Sequence, residues 1–259
     1  MDDHKKYQGA LTPEDEPFDP IELTEKTKII VCDETSRKYT KFYTVGVYGG
    51  IVTAYTVGCN LRCFFCWVGP GRDRPKSYGK FYSAEETAEK LVKTALKKSV
   101  NKARISGGEP TLCKEHLLKV LDCLEGCDAL DTFILETNGI LFGKNESYVD
   151  EIEKFELPHV RVSLKAGFSE EWERKTGARA NSSNLPYKAI EHLWKKDLDF
   201  HVAAMVDPRI TSKEEMWNTY KKVGEISEVL ADNIEWETID KYPNTKRRLK
   251  KAEVKLKDQ

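Results

Sequence analysis

The residues best suited to chemistry are Cys59, Cys63 and Cys66, in the run Gly58-Cys59-Asn60-Leu61-Arg62-Cys63-Phe64-Phe65-Cys66. Spacings of three and two residues allow three thiols to gather on one loop. Soft thiolates select iron–sulfur clusters, zinc or copper(I). A structural zinc site is usually closed by a fourth Cys or His. None adjoins this run, so remote Cys113 or a histidine would have to supply it. A four-iron cubane on three thiolates keeps one iron open, which is useful only if something else binds there. A zinc knot, buried thiols and an open cluster all remain compatible with these residues alone.

The elements around the loop must position it. Residues 39–48 and 50–57 read as β-rich, with Thr, Tyr and Val alternating around Gly49-Gly50. Strands and helices then alternate. Ser83 and Glu86 form a capping box opening a helix with Ala88, Leu91, Val92 and Ala95 on one face. Strands are expected at 102–106, 132–136, 160–165, 200–206 and 234–239, and helices at 114–124, 146–155, 186–196 and 212–230. Such alternation implies parallel strands with right-handed crossovers. About six βα units fall short of the eight of a closed barrel. The expected fold is α/β, a partial (β/α)6 TIM-like barrel over residues 45–240. An N-terminal extension, residues 1–44 and β-rich towards its end, precedes it, and a basic tail, residues 241–259, follows. Residues 1–25, acidic and carrying Pro13, Pro17 and Pro20, read as a lead-in arm. A short strand at 28–32 and a polar turn at 33–37 come next.

Polar and glycine-rich residues follow the strands, where barrels and open sheets place their sites. They are Ile105-Ser106-Gly107-Gly108-Glu109-Pro110, Leu135-Glu136-Thr137-Asn138-Gly139 and Val162-Ser163-Leu164-Lys165. Taken singly, the glycine run would be an ordinary turn and Lys165 a solvated lysine. Together with Cys-x3-Cys-x2-Cys and an aromatic before its last cysteine, and in this order, they resemble the radical S-adenosylmethionine (SAM) superfamily over roughly residues 45–240.

That resemblance implies an enzyme with one 4Fe–4S cluster on Cys59, Cys63 and Cys66. SAM would take the open iron and, on reductive cleavage, yield a 5′-deoxyadenosyl radical that abstracts hydrogen from a substrate. It further implies Phe65 against the adenine, Gly107 and Gly108 allowing close approach of backbone to ligand, and Glu109 or nearby carbonyls on the methionine ammonium. Glu136 or Asn138 would reach the ribose, and Lys165 and Ser163 the SAM carboxylate. An electron donor such as flavodoxin or ferredoxin is implied, with a small molecule, a protein or RNA as substrate. The small-barrel groups most similar are the activating enzymes of glycyl-radical proteins and, more distantly, 7-carboxy-7-deazaguanine synthase. The match is incomplete: Trp67-Val68 follow Cys66 where the synthase has a small polar residue, and Ser163 stands where the activating enzymes have Asp. The leading expectation is an oxidoreductase that possesses activase character; a nucleotide- or RNA-modifying enzyme is the alternative, and a non-catalytic metal module is the alternative from another class.

Composition bounds the rest. Hydrophobic residues at 39% support one domain, and a net charge of -1 gives no reason to invoke nucleic acid or membrane. There is no run of about 18 apolar residues and no secretion-type leader, so a cytoplasmic protein is expected. In that compartment the seven cysteines are expected as ligands or thiols rather than disulfides. Cys32 reads as an isolated structural thiol. Cys113, Cys123 and Cys127 could suggest a second cluster, with buried thiols the plainer account; no dense cysteine segment follows residue 127. His159 and His201 could line the site or be satisfied core histidines. The basic loop 69–76 would border the substrate entrance or lie in solvent. The tail Lys246-Arg247-Arg248-Leu249-Lys250-Lys251 reads as a solvated helix, with RNA binding the sharper alternative.

Overall fold

The computed structural model describes residues 11–12 and 16–256. The first element is α1 (Pro20–Val31), where an arm and a strand were expected. Asp19 caps it by accepting from the Ile21 and Glu22 amides, and Pro20 stands at its first position, where no amide partner is needed. Leu23, Thr27 and Val31 recur at helical spacing and are buried, while Ile29 of the apolar run Ile29–Val31 is left exposed. Helical periodicity prevails over the β-like look of that run.

The antiparallel strands β1 (Cys32–Asp33) and β2 (Ser36–Val45) then lead into β3 (Ile51–Thr56). Arg37, expected in a polar turn, is a buried residue of β2. After the cysteine loop come β4 (Lys80–Ser83), which pairs back onto β2, and α2 (Ala84–Lys98). The Ser83–Glu86 capping box forms as expected, a motif worth about 1 kcal/mol. The chain proceeds through β5 (Lys102–Ser106), α3 (Lys114–Leu124), β6 (Thr132–Thr137), α4 (Ile140–Lys144), α5 (Glu146–Ile152) and β7 (Pro158–Leu164). It continues with α6 (Ser169–Thr176), α7 (Leu185–Lys195), β8 (Phe200–Met205), α8 (Lys213–Gly224), α9 (Glu228–Asp232), β9 (Glu235–Glu237) and α10 (Pro243–Lys251). The single helix expected over 212–230 is two, broken after Gly224, a poor helix former.

The sheet order is β1-β2-β3-β5-β6-β7-β8-β9. From β3 to β9 the neighbours are parallel, six strands in all. The sheet does not close, so the fold is an open, partial TIM-like barrel. Its helix-facing side packs Val52, Ala54, Ile105, Leu135, Val160, Val162 and Val202 against α2, α3, α5 and α7. The intervening residues of the same strands, Arg104, Glu136, Arg161 and Ser163, fall on the opposite, inner face because side chains alternate along a strand, and Glu235 of β9 meets Arg161 there.

Candidate active site

The cysteine loop leaves the carboxyl end of β3 without helix or strand of its own, so its position is set by contacts. The Arg62 amide donates to Thr176 O at 2.9 Å and the Phe64 amide to Lys175 O at 3.1 Å, tying the loop to the end of α6. Asn60 donates to Thr24 Oγ1 of α1 at 3.0 Å. Cys59, Cys63 and Cys66 are all unpaired thiols. Burial pushes the Cys59 thiol up to about 12, with the Glu109 carboxylate adding to it, and the Cys63 thiol up to about 11. Neither ionises readily alone; bound iron would have to displace the proton, as metal coordination does. Among the described residues no group of three or more His, Cys, Asp or Glu is gathered as a single ion requires. A cluster of several irons spreads its ligand positions over a cube and takes thiols farther apart. Three free thiols on one loop, with no fourth ligand closing them among the described residues, therefore fit a three-thiolate cluster better than a zinc knot.

The second segment, after β5, lies directly against this loop. The Gly108 amide donates to Thr56 O at 3.1 Å and the Glu109 amide to Gly58 O at 2.9 Å. A Cβ on Gly108 would stand 2.1 Å from Gly58 O, and Gly107 has φ +100°. The two glycines thus let two stretches of the chain approach one another, a role the sequence had assigned to ligand approach. Glu109 is buried and its carboxylate is engaged by the protein. Oε1 accepts from the Thr111 amide at 3.1 Å and from the Thr111 and Thr137 hydroxyls at 2.7 Å each. Oε2 accepts from the Asn138 amide at 2.9 Å. Asn138 in turn donates to Asn60 Oδ1 at 2.7 Å and lies 4.0 Å from Cys59 Sγ. Motifs 79 residues apart are thus joined beside Cys59.

Glu136 accepts from Arg104, and from Ser106 at 2.7 Å. Ser163 donates to Glu237 at 3.0 Å and accepts from Lys165 at 2.5 Å. Arg161 bridges Glu235 at 2.8 Å and Glu237 at 2.9 Å. Burial raises Glu237, but Arg161 and Lys165 outweigh it and hold its carboxyl below the usual range. His159 and His201 pair across β7 and β8 at 2.6 Å, and their outer nitrogens meet Asp199 and Glu235. Glu136, Ser163 and Lys165 therefore share the inner face, whereas Phe65 is buried in an apolar cluster with Phe64, Leu61 and Ile140.

Several residues escaped the sequence reading. Arg37 donates to Pro110 O at 2.8 Å and Glu109 O at 2.6 Å, fixing the glycine segment from beneath. A strand-borne arginine gave no periodic signal that would have exposed this. Arg72, from the basic loop, turns inward and is 3% exposed. Arg248, from the basic tail, reaches the carbonyls of Cys66 and Val68. Cys32 and Cys113 are joined as a disulfide with Cα atoms 5.6 Å apart, against the expectation of free thiols. The bond removes Cys113 both as a fourth ligand and from any second cluster. α1 carries Cys32 to Cys113 across 81 residues, a proximity created by the fold. Cys123 and Cys127 are free and half-buried.

A family model described as the Radical SAM superfamily matches residues 53–223, which include all four motifs. The chain belongs to the radical SAM superfamily. It is accordingly an enzyme whose cofactors are a 4Fe–4S cluster and SAM. A probable GTP 3′,8-cyclase of Methanococcus vannielii is 30% identical over 203 residues, 76% of this chain and 65% of that protein. Another, from Archaeoglobus fulgidus, is 34% identical over 134 residues, 50% of this chain and 41% of that protein. The chain thus spans less than two thirds of these curated relatives. The solved structure of Streptococcus suis SuiB bound to S-adenosylmethionine aligns with 73% of this chain and 49% of its own at 16% identity, with a TM-score of 0.42. Among the described residues no helix is long and apolar enough to cross a membrane.

Proposed function

We propose that this radical SAM enzyme acts on a nucleotide, abstracting hydrogen from it after reductive cleavage of SAM. Bound at Cys59, Cys63 and Cys66, the cluster would supply the electron that opens the sulfonium. The observation that carries the reading is the inner face of the sheet. Arg104, Glu136, Arg161, Ser163, Lys165 and Glu237 line it with donors and acceptors of both signs. A face of that kind suits a ligand rich in hydrogen-bonding groups and charge, and would waste an apolar one. The similarity to proteins named GTP 3′,8-cyclase supports the same choice over activation of a partner protein.

The roles follow from placement. Lys165 and Ser163, adjacent at the end of β7, would meet the SAM carboxylate. Glu136, on the neighbouring strand, would meet ribose hydroxyls. Glu109 would position Asn138 and the glycine segment rather than touch SAM, because its four accepted bonds occupy both oxygens. Phe65 would shield the cluster within its apolar cluster.

The test is an anaerobic incubation of the reconstituted, reduced protein with SAM and GTP. The expected result is 5′-deoxyadenosine together with a guanine-derived product, both absent in Cys59→Ala, Cys63→Ala and Cys66→Ala. Formation of 5′-deoxyadenosine with GTP, other nucleotides and RNA all recovered unchanged would overturn the nucleotide reading. A glycyl radical on an added partner protein would replace it with the activase.

A further inference from the structure

Each of the three cluster cysteines has its backbone carbonyl held by a different arginine. Arg62 Nη1 donates to Cys59 O at 2.7 Å. Arg72 Nη1 donates to Cys63 O at 2.7 Å. Arg248 Nη1 donates to Cys66 O at 2.6 Å and to Val68 O at 2.5 Å. The three come from the loop itself, from the following turn and from α10, up to 182 residues from the carbonyl they hold.

One carboxylate links them. Asp73 Oδ1 lies 2.7 Å from Arg72 Nη2 and 3.6 Å from Arg62 Nε, and Oδ2 lies 2.8 Å from Arg248 Nη2. Arg62 is fully buried, yet its Nε and Nη2 have no hydrogen-bond partner among the described residues. Burying a guanidinium so incompletely paired is costly. Three cations against one anion leave the floor of the cysteine loop with an excess of two positive charges. For the fold alone such an arrangement is a poor bargain. It makes sense if the loop above carries negative charge.

We propose that Arg62, Arg72 and Arg248, bridged by Asp73, form a positioning cage that fixes the three cysteines and sets the reduction potential of the cluster they hold. This rests on the cysteines being the cluster ligands. Three thiolates make the bound cluster anionic, and a one-electron reduction adds a further negative charge. Cations close by favour the reduced form over the oxidised one. The planar fork of arginine also fixes direction: Arg248 binds two carbonyls and Asp73 at once, which a lysine ammonium on a flexible stem does less well. The cage makes α10 part of the cluster site, whereas its basic run had suggested solvent or RNA.

The test compares wild type with Arg248→Gln, Arg248→Lys, Asp73→Asn and the exposed control Lys250→Gln. Each is reconstituted anaerobically, assayed for iron and sulfide per chain, and titrated by electron paramagnetic resonance against potential. Arg248→Gln should lower the reduced-to-oxidised ratio at a fixed poise about tenfold, which for a one-electron couple is about 59 mV to the negative. Asp73→Asn should move the potential the opposite way, because it removes the carboxylate that the three arginines share. Arg248→Lys should keep the wild-type potential but lose iron faster to a chelator, and Lys250→Gln should change neither. Loosening alone would shift both variants alike, so shifts of equal sign, or none, would overturn the proposal. Should Arg248→Gln fail to fold, the sign of the Asp73→Asn shift decides. If wild type takes up no iron–sulfur cluster, the cysteine reading itself falls; if it loads and the variants match it, only the cage falls.

Discussion

Two neighbouring loops at the carboxyl ends of β3 and β5 are held in opposite ways. The cysteine loop is gripped through its carbonyls by guanidinium groups. The Gly107–Asn138 side is gripped through amides and hydroxyls by a single carboxylate, Glu109. Neither loop can use a regular ladder, so each borrows a charged side chain of the sign its backbone end lacks. The sign also matches the task. Cations lie beneath the segment proposed to hold an anionic cluster, whereas the segment beside it is shaped by a carboxylate whose oxygens are both engaged by the protein.

The contrast can be broken most strongly at Glu109. Glu109→Ala strands four buried donors, and should lower the unfolding free energy by about 4 kcal/mol in urea; a loss under about 1 kcal/mol would show that the carboxylate is not the anchor. Cys32→Ser opens the bond that ties α1 to the end of the second segment, and should cost about 3 kcal/mol under oxidising conditions and nothing in excess reductant. Gly108→Ala drives a Cβ into the Gly58 carbonyl and should pry the two loops apart, for about 2 kcal/mol. An unaltered denaturation midpoint in that variant would contradict the close approach.

The smallest effect belongs to the cationic side. Burial alone would raise Asp73, but Arg72, Arg62 and Arg248 outweigh it and bring its carboxyl down to about 2. A depressed folded-state value means that the contribution is complete above the ordinary value near 3.8. It is lost as pH falls through about 2. The contribution is roughly 1–2 kcal/mol after allowance for partial exposure. Urea titrations from pH 5 to pH 2 should show Asp73→Asn losing this acid sensitivity relative to wild type; parallel curves would exclude it.

Much of this was legible beforehand. β5 and α3 lie at the expected residues, and the Ser83 cap forms where the box was read, because period and capping are local properties. α1 was missed although Asp19-Pro20 is a start signal; three prolines in an acidic stretch looked like an arm. The cysteine triplet and the three later motifs were readable as types and spacings. Their mutual contacts, such as Asn138 with Asn60, were not.

The sequence by itself determined the family, the six βα units and which cysteines share one loop, since each is written in short runs whose meaning does not depend on distant residues. Only the tertiary structure decided that Glu109 is an internal anchor, that Cys32 meets Cys113, and that Arg37, Arg72 and Arg248 face inward. A lone charged residue in a loop, strand or tail has no periodicity to mark it, and its partner is chosen by the closure of the fold over separations of up to 182 residues.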